Sequence, residues 1–337
     1  MRCKLVLISL VYLFFGLTNT ASGSDNCATA PTSSHVVNVK DKGAKGNGIT
    51  NDTAAIQAAI NQIAGTGGTV LVPDGTYMID AIVGIQMKND MTLRMSKGTV
   101  LKALPNEKAN YSIINLTGAS NINVIGGTLI GERDEHSGTS GEWGMGMLVR
   151  NATNIVIEDV TAKNAWGDGF YIDGASKNIK FCSVIADNNR RQGMSVISVD
   201  GLLVKNSIFK NTEGTPPQSG IDLEPDVDKD IINNVQILNS QFSGNKNYGI
   251  IFCAPRHSII KNVTLYGNTI SGNKGGGISL VNTSGHKIIH NLVKDNQSYG
   301  IRLYDGAKEN TVLGNKLTGK NSISDEGGNT IFENSFD

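Results

Sequence analysis

Residues 169–173 read Gly169-Phe-Tyr-Ile-Asp173, and the same shape, a glycine followed by apolar residues alternating with variable ones, returns six more times. It stands at Gly146-Met-Leu-Val-Arg150, Gly193-Met-Ser-Val-Ile197 and Gly220-Ile-Asp-Leu-Glu224. It continues at Gly249-Ile-Ile-Phe-Cys253, Gly277-Ile-Ser-Leu-Val281 and Gly300-Ile-Arg-Leu-Tyr304. The glycines are spaced 23, 24, 27, 29, 28 and 23 residues apart. Between them lies a second alternating segment led by Asn, as in Asn154-Ile-Val-Ile-Glu158, Asn178-Ile-Lys-Phe-Cys182 and Asn234-Val-Gln-Ile-Leu238. A further Asn follows many of these, at Asn206, Asn239, Asn268, Asn291, Asn315 and Asn334. A period in the twenties with short alternating strands and Asn/Gly corners describes a solenoid whose units bury their apolar stripe only by stacking. Leucine-rich repeats share the period but need LxxLxL and a helical segment per unit, which are absent. The pattern therefore predicts an all-β, single-domain right-handed parallel β-helix, with Asn side chains stacked in ladders at the turns.

The rest of the chain agrees. Forty of 337 residues are glycine, against a usual share of roughly 7%, and aromatics are only 6%. Thirty basic residues balance 30 acidic ones, so net charge gives no reason to expect a nucleic-acid partner. Residues 51–64 (NDTAAIQAAINQIA) are the one clear helical pattern: Asn51 or Asp52 can cap it, Ile56, Ile60 and Ile63 share a face, and Gly65 ends it. Such a helix suits the exposed end of a solenoid, where it covers open strand edges.

At the N-terminus, Arg2 and Lys4 precede an apolar run at 5–17, and small residues follow at Ala21 and Gly23. This is the pattern of a secretory signal, with residues 1–23 removed and 24–337 forming the β-helix domain. The apolar run is too short for stable membrane insertion, so the expected localisation is secreted, extracellular or periplasmic. Cys27, Cys182 and Cys253 remain, an odd number without metal-binding spacing. They read as packing residues rather than a disulfide framework, with at least one thiol unpaired.

Alternation assigns the faces. In each Gly-led strand the first and third residues after Gly point inward, and the second and fourth form columns on the outer wall. Reading down those columns gives Tyr171 and Asp173, Ser195 and Ile197, then Asp222 and Glu224. The preceding turns add Asp168, Arg190, Arg191 and Gln192. Charge is thus gathered on three successive coils, acid then base then acid. Carboxylates two coils apart, with backbones about 9.6 Å apart, can lean into the range of about 6.5–9.5 Å used by inverting glycosidases. Asp168, Asp173, Asp222 and Glu224 are therefore the catalytic candidates. Arg190 and Arg191 would grip an acidic group on a sugar, beside Gln192 and Tyr171. The loop at 131–143 would wall the cleft with Arg133, His136, Glu142 and Trp143. The chemistry requires no cofactor; Glu224 with Asp226 offers oxygens to calcium.

The segment GAKGNGITNDTAAIQAAINQIAGTGGTVLVPDGTYMI (43–79) resembles the opening of the pectate-lyase-like superfamily, which includes polygalacturonases, alginate C5-epimerase modules and phage tailspikes. The resemblance implies the β-helix fold and a polysaccharide partner. Asp168-Gly-Phe-Tyr-Ile is similar to the polygalacturonase NTDGFDI strand, which puts Asp168 at that family's catalytic Asp. Arg191-Gln-Gly-Met-Ser-Val is similar to its GHGxSI motif, but Gln192 stands at the His. Asp222 and Glu224 replace an Arg and a Lys, and a coil bearing paired aspartates is missing. Asn189-Arg-Arg-Gln-Gly resembles the epimerase NDRHG, which puts Arg191 at its catalytic Arg, while the partner strand lacks the epimerase His. Glycosidic hydrolysis by carboxylates is the leading expectation. Lyase or epimerase action on a uronate polymer, and carbohydrate binding without catalysis, are the alternatives.

Overall fold

The computed structural model describes residues 27–28, 31–255 and 259–337; the expected signal segment at 1–23 lies outside them. Three parallel sheets of twelve, twelve and ten strands run along the molecule, and each coil contributes one strand to each except near the ends, where the third sheet is two strands shorter. The third sheet holds the Gly-led strands, among them Trp143–Arg150, Phe170–Asp173, Met194–Val196, Ile221–Leu223 and Tyr299–Tyr304. The first holds the Asn-led strands such as Thr153–Glu158 and Ser176–Cys182. The second is made mostly of three-residue strands such as Ile185–Asp187.

Close approach explains the repeated glycine. A Cβ on Gly193 would lie 2.4 Å from the Gly220 carbonyl oxygen, and one on Gly146 would lie 2.6 Å from that of Gly169. Only a bare Cα lets these corners stack at a strand spacing of about 4.8 Å. Inside, Phe170, Phe181, Phe209, Phe242 and Phe252 are fully buried, and Phe209 stacks on Phe242 with ring centroids 5.2 Å apart.

The Asn ladder exists, with a different upstream end. Asn268, Asn291, Asn315 and Asn334 pass side-chain amides from coil to coil at 2.9 Å. Asn206 and Asn239, expected in this row, are instead left-handed corner residues at φ 53 and 48, a conformation Asn adopts at less cost than most residues. The residue after each takes the ladder place: Ser207 donates its backbone N–H to Ser240 Oγ, and Ser240 its own to Asn268 Oδ1.

The helix spans Thr53–Ile63, shorter than the expected 51–64, because Asn51 Oδ1 accepts from the Thr53 N–H and so sits before the first turn. Ile56, Ile60 and Ile63 are fully buried against the first coils. Asp52 does not cap the helix; its carboxylate accepts from the Lys45 and Gly46 backbone N–H groups.

One expectation is overturned. Cys27 and Cys182 form a disulfide across 155 residues, while Cys253 is a free thiol. Linear spacing hid the pair because coiling, not sequence proximity, brings the N-terminal segment to the end of the Ser176–Cys182 strand. Glu158 reinforces the junction by accepting from the Cys27 and Ala28 N–H groups. Among the described residues no helix is long and apolar enough to cross a membrane.

Candidate active site

The columns on the third sheet fall where alternation puts them. Tyr171 lies opposite Ser195, Ser195 opposite Asp222, Asp222 opposite Ile251, and onward through Ser279 to Arg302. Local geometry then decides which of these side chains meet.

Arg191 is the hub. Its Nη1 lies 3.2 Å from Asp168 Oδ2 and donates to Ser195 Oγ, which in turn donates to the same Asp168 oxygen at 2.9 Å. Its Nε faces Glu142 Oε2 at 3.4 Å and its Nη2 faces Glu224 Oε2 at 3.7 Å. Contacts of 3.2 and 3.7 Å from two ends of one planar fork put the Asp168 and Glu224 oxygens about 9 Å apart at most. The guanidinium is thus already shared by three carboxylates. It supports them rather than standing free to grip a sugar.

The acids differ in access. Asp168 is fully buried, and burial raises its pKa to about 6 against the opposing pull of Arg191 and Ser195. Asp222 is also buried, and desolvation followed by the neighbouring Glu224 charge pushes it well above the ordinary aspartate range. Glu224, about one-third exposed, is raised mainly by burial and held down by Arg191. Their mutual interaction raises Asp222 and lowers Glu224, so Asp222 is the member of the pair that holds a proton more readily.

Gln192 settles where that proton sits. Expected at the substrate, it is fully buried beneath it: its Oε1 accepts from the Ser219 N–H at 2.8 Å and its Nε2 donates to Asp222 Oδ2 at 2.6 Å. The backbone donor fixes the amide's orientation, so Oδ2 must accept and the proton belongs on Oδ1.

Other candidates lie apart. Asp173 is ion-paired to Arg150 at 3.0 Å and accepts from the Gly174 N–H; cross-strand register, which places Arg150 opposite it, draws it away from Arg191. Tyr171 is buried in an outer apolar cluster with Met145, Leu148 and Ile197, and burial raises its phenol. Asp226 is raised by burial and by Asp173 and Asp230. Among the described residues no three His, Cys, Asp or Glu side chains are grouped to hold a metal ion.

The 131–143 loop does flank the hub, but with altered roles. Arg133 ties the loop to Asn188 by two 2.9 Å hydrogen bonds. His136, expected at the sugar, has a buried side chain with its Nδ1 3.0 Å from both Glu132 oxygens. Its ring stacks on Trp166 with centroids 3.9 Å apart, and the Arg190 guanidinium lies 3.7 Å from the Trp166 ring centre. Arg190 also donates to the Gly141 carbonyl, so it clamps the loop. Glu132, missed in the sequence, is buried and its pKa is raised to about 8, first by desolvation and then by Glu135. Its only sequence signal is standing four residues before His136. Beside the hub the loop presents Glu142, one-third exposed, and Trp143, 42% exposed.

The family description "Rhamnogalacturonase A/epimerase, pectate lyase-like" matches residues 36–128, and "Right handed beta helix region" matches 217–336. An uncharacterised Bacillus subtilis protein, YclG, is 31% identical over 247 residues, covering 62% of this chain and 42% of its own length. Plasmin and fibronectin-binding protein A of Streptococcus pneumoniae is 28% identical, covering 84% of this chain and 39% of its own. Mannuronan C5-epimerase AlgE4 of Azotobacter vinelandii is 30% identical, covering 52% of this chain and 34% of its own. The chain spans less than half the length of each of these relatives. The solved A-module of AlgE4 superimposes with a TM-score of 0.69 at 22% identity, over 90% of this chain and 95% of the module.

Proposed function

The chain belongs to the pectate-lyase-like right-handed parallel β-helix superfamily, and on that premise we propose that it is a secreted enzyme that cleaves glycosidic bonds of a polysaccharide by carboxylate acid/base catalysis. One observation carries this reading: Glu224, one residue past the Ile221–Leu223 strand that bears the buried Asp222, lies 3.7 Å from the Arg191 fork that also holds Asp168 and Glu142. Glu224 reaches the outer surface and gives a proton to the departing glycosidic oxygen. Asp222 below replenishes it, with Gln192 keeping the proton on Oδ1. Glu142, one-third exposed at the Nε edge of Arg191, is the carboxylate that would activate a water. Like the Asp168–Glu224 gap, its separation from Glu224 is about 9 Å at most, which does not exceed the upper end of the inverting range. Asp168 and Ser195 anchor Arg191, and Trp143 offers an apolar face for a sugar ring.

Secretion is supported by the basic-then-apolar pattern at 1–23 and by the Cys27–Cys182 disulfide, a bond suited to oxidising compartments. A second reading, elimination or epimerisation at a uronate, is favoured by the likeness to AlgE4; it requires Arg191 to exchange one of its carboxylates for that of the substrate. The test is a panel of acidic and neutral polysaccharides with two readouts. New reducing ends without ultraviolet absorbance support hydrolysis. A 4,5-unsaturated chromophore or altered uronate stereochemistry supports the second reading. Binding without product overturns both.

A further inference from the structure

With Arg191 occupied by Asp168, Glu142 and Glu224, the described residues of the Tyr171–Ser195–Asp222 column leave no free cation there for a polyanion. The wall supplies one further along. Arg302 occupies the Asp222 column three coils on, through Ile251 and Ser279, a distance of about 14 Å at one strand spacing per coil. Its guanidinium lies 3.8 Å from the ring centre of Tyr304 and 5.2 Å from that of Tyr299. Among the described residues it has no ion-pair partner. Tyr299 is 38% exposed, and Arg302 and Tyr304 are half-buried.

From this we infer that Arg302, with Tyr299 and Tyr304, forms a distal subsite for an acidic sugar of the bound chain. The inference rests on the polysaccharide reading above and deepens it by naming acidic glycan as the ligand. Rings hold the guanidinium in place without neutralising it, which leaves its planar donor edge for a carboxylate or sulfate. A tyrosine face beside it suits the apolar face of a pyranose. Ile251 and Ser279 between them carry no charge, and Ser279 is fully buried, so along this column of described residues Arg302 is the cation that a chain crossing the coils meets. The neighbouring acids Glu142, Glu224 and Asp226 make the centre repulsive to polyanions. A remote anchor therefore fixes register as well as affinity.

Affinity electrophoresis tests this without any need for turnover. The full chain and its Arg302→Gln and Tyr304→Ala variants are run through native gels containing polygalacturonate, alginate or a neutral glucan. The wild type is expected to be retarded by at least one acidic polymer and not by the glucan. Arg302→Gln is expected to weaken that retardation about tenfold, in keeping with loss of a hydrogen-bonded charge, and added salt is expected to reduce it in the wild type only. Equal retardation of wild type and Arg302→Gln, or retardation by the neutral glucan alone, overturns the inference. Because binding is read directly, retardation lost in Arg302→Gln upholds the subsite even where the catalytic reading fails for lack of product.

Discussion

The Gln192 amide donates to Asp222 Oδ2 at 2.6 Å while its own oxygen is fixed by the Ser219 N–H. A fully buried carboxyl is thereby given one permanent donor on Oδ2, while its Oδ1 is buried without a hydrogen-bond partner. Local backbone geometry therefore decides the protonation pattern at the surface of the wall.

Replacing Gln192 with Leu removes the donor that favours ionised Asp222, so the Asp222 carboxyl stays protonated to still higher pH. The basic limb of the pH–rate profile is expected to move upward, with turnover falling about 10–100-fold as the pair loses its fixed orientation. A folded variant with an unshifted profile would show that Gln192 does not position the pair.

Asp168 gives a pH-dependent stability with a definite sign. Its pKa rises from 3.8 unfolded to about 6 folded, so between those values the native state binds more protons and stability falls as pH rises. The span is worth about 3 kcal/mol. Asp168→Asn is expected to flatten that part of the curve in denaturant titrations at successive pH values, and to loosen Arg191.

Stability in the ladder and at the corners should separate cleanly. Asn291 donates to the Leu265 carbonyl and to Asn315 and accepts from Asn268. Asn291→Ala should cost about 2–3 kcal/mol by leaving buried groups unpaired. Asn206→Gly, at a left-handed corner, should lie within about 1 kcal/mol of wild type. Chemical denaturation of both variants checks the pair.

Cys27→Ser or Cys182→Ser opens a loop of 155 residues and is expected to cost about 2–4 kcal/mol. Circular dichroism should retain the β spectrum, because the ladders and core persist without the bond, while the melting temperature falls.

The legible parts of this protein were those with a period. Gly-led strands announced the coils, and the columns Tyr171–Ser195–Asp222 followed from alternation alone. What escaped the sequence depends on how side chains turn at corners. Asp168 and Gln192 flank the Gly-led strands like exposed turn residues, yet both fold under Arg191 and Asp222. Asp173 stands in an outward column but answers Arg150 across the strand pair. Glu132 and His136 gained meaning only when the loop folded over Trp166, and Cys27 only when its segment met Cys182. None of these contacts has a fixed spacing in the chain.

The central claim, that Glu224 with Asp222 delivers the proton for bond cleavage, is tested most directly by the turnover of Glu224→Gln on the polymer that the wild type degrades. The account predicts a folded protein with an unchanged melting profile, retained polymer binding and turnover reduced at least about a thousandfold. Turnover near that of the wild type would contradict it.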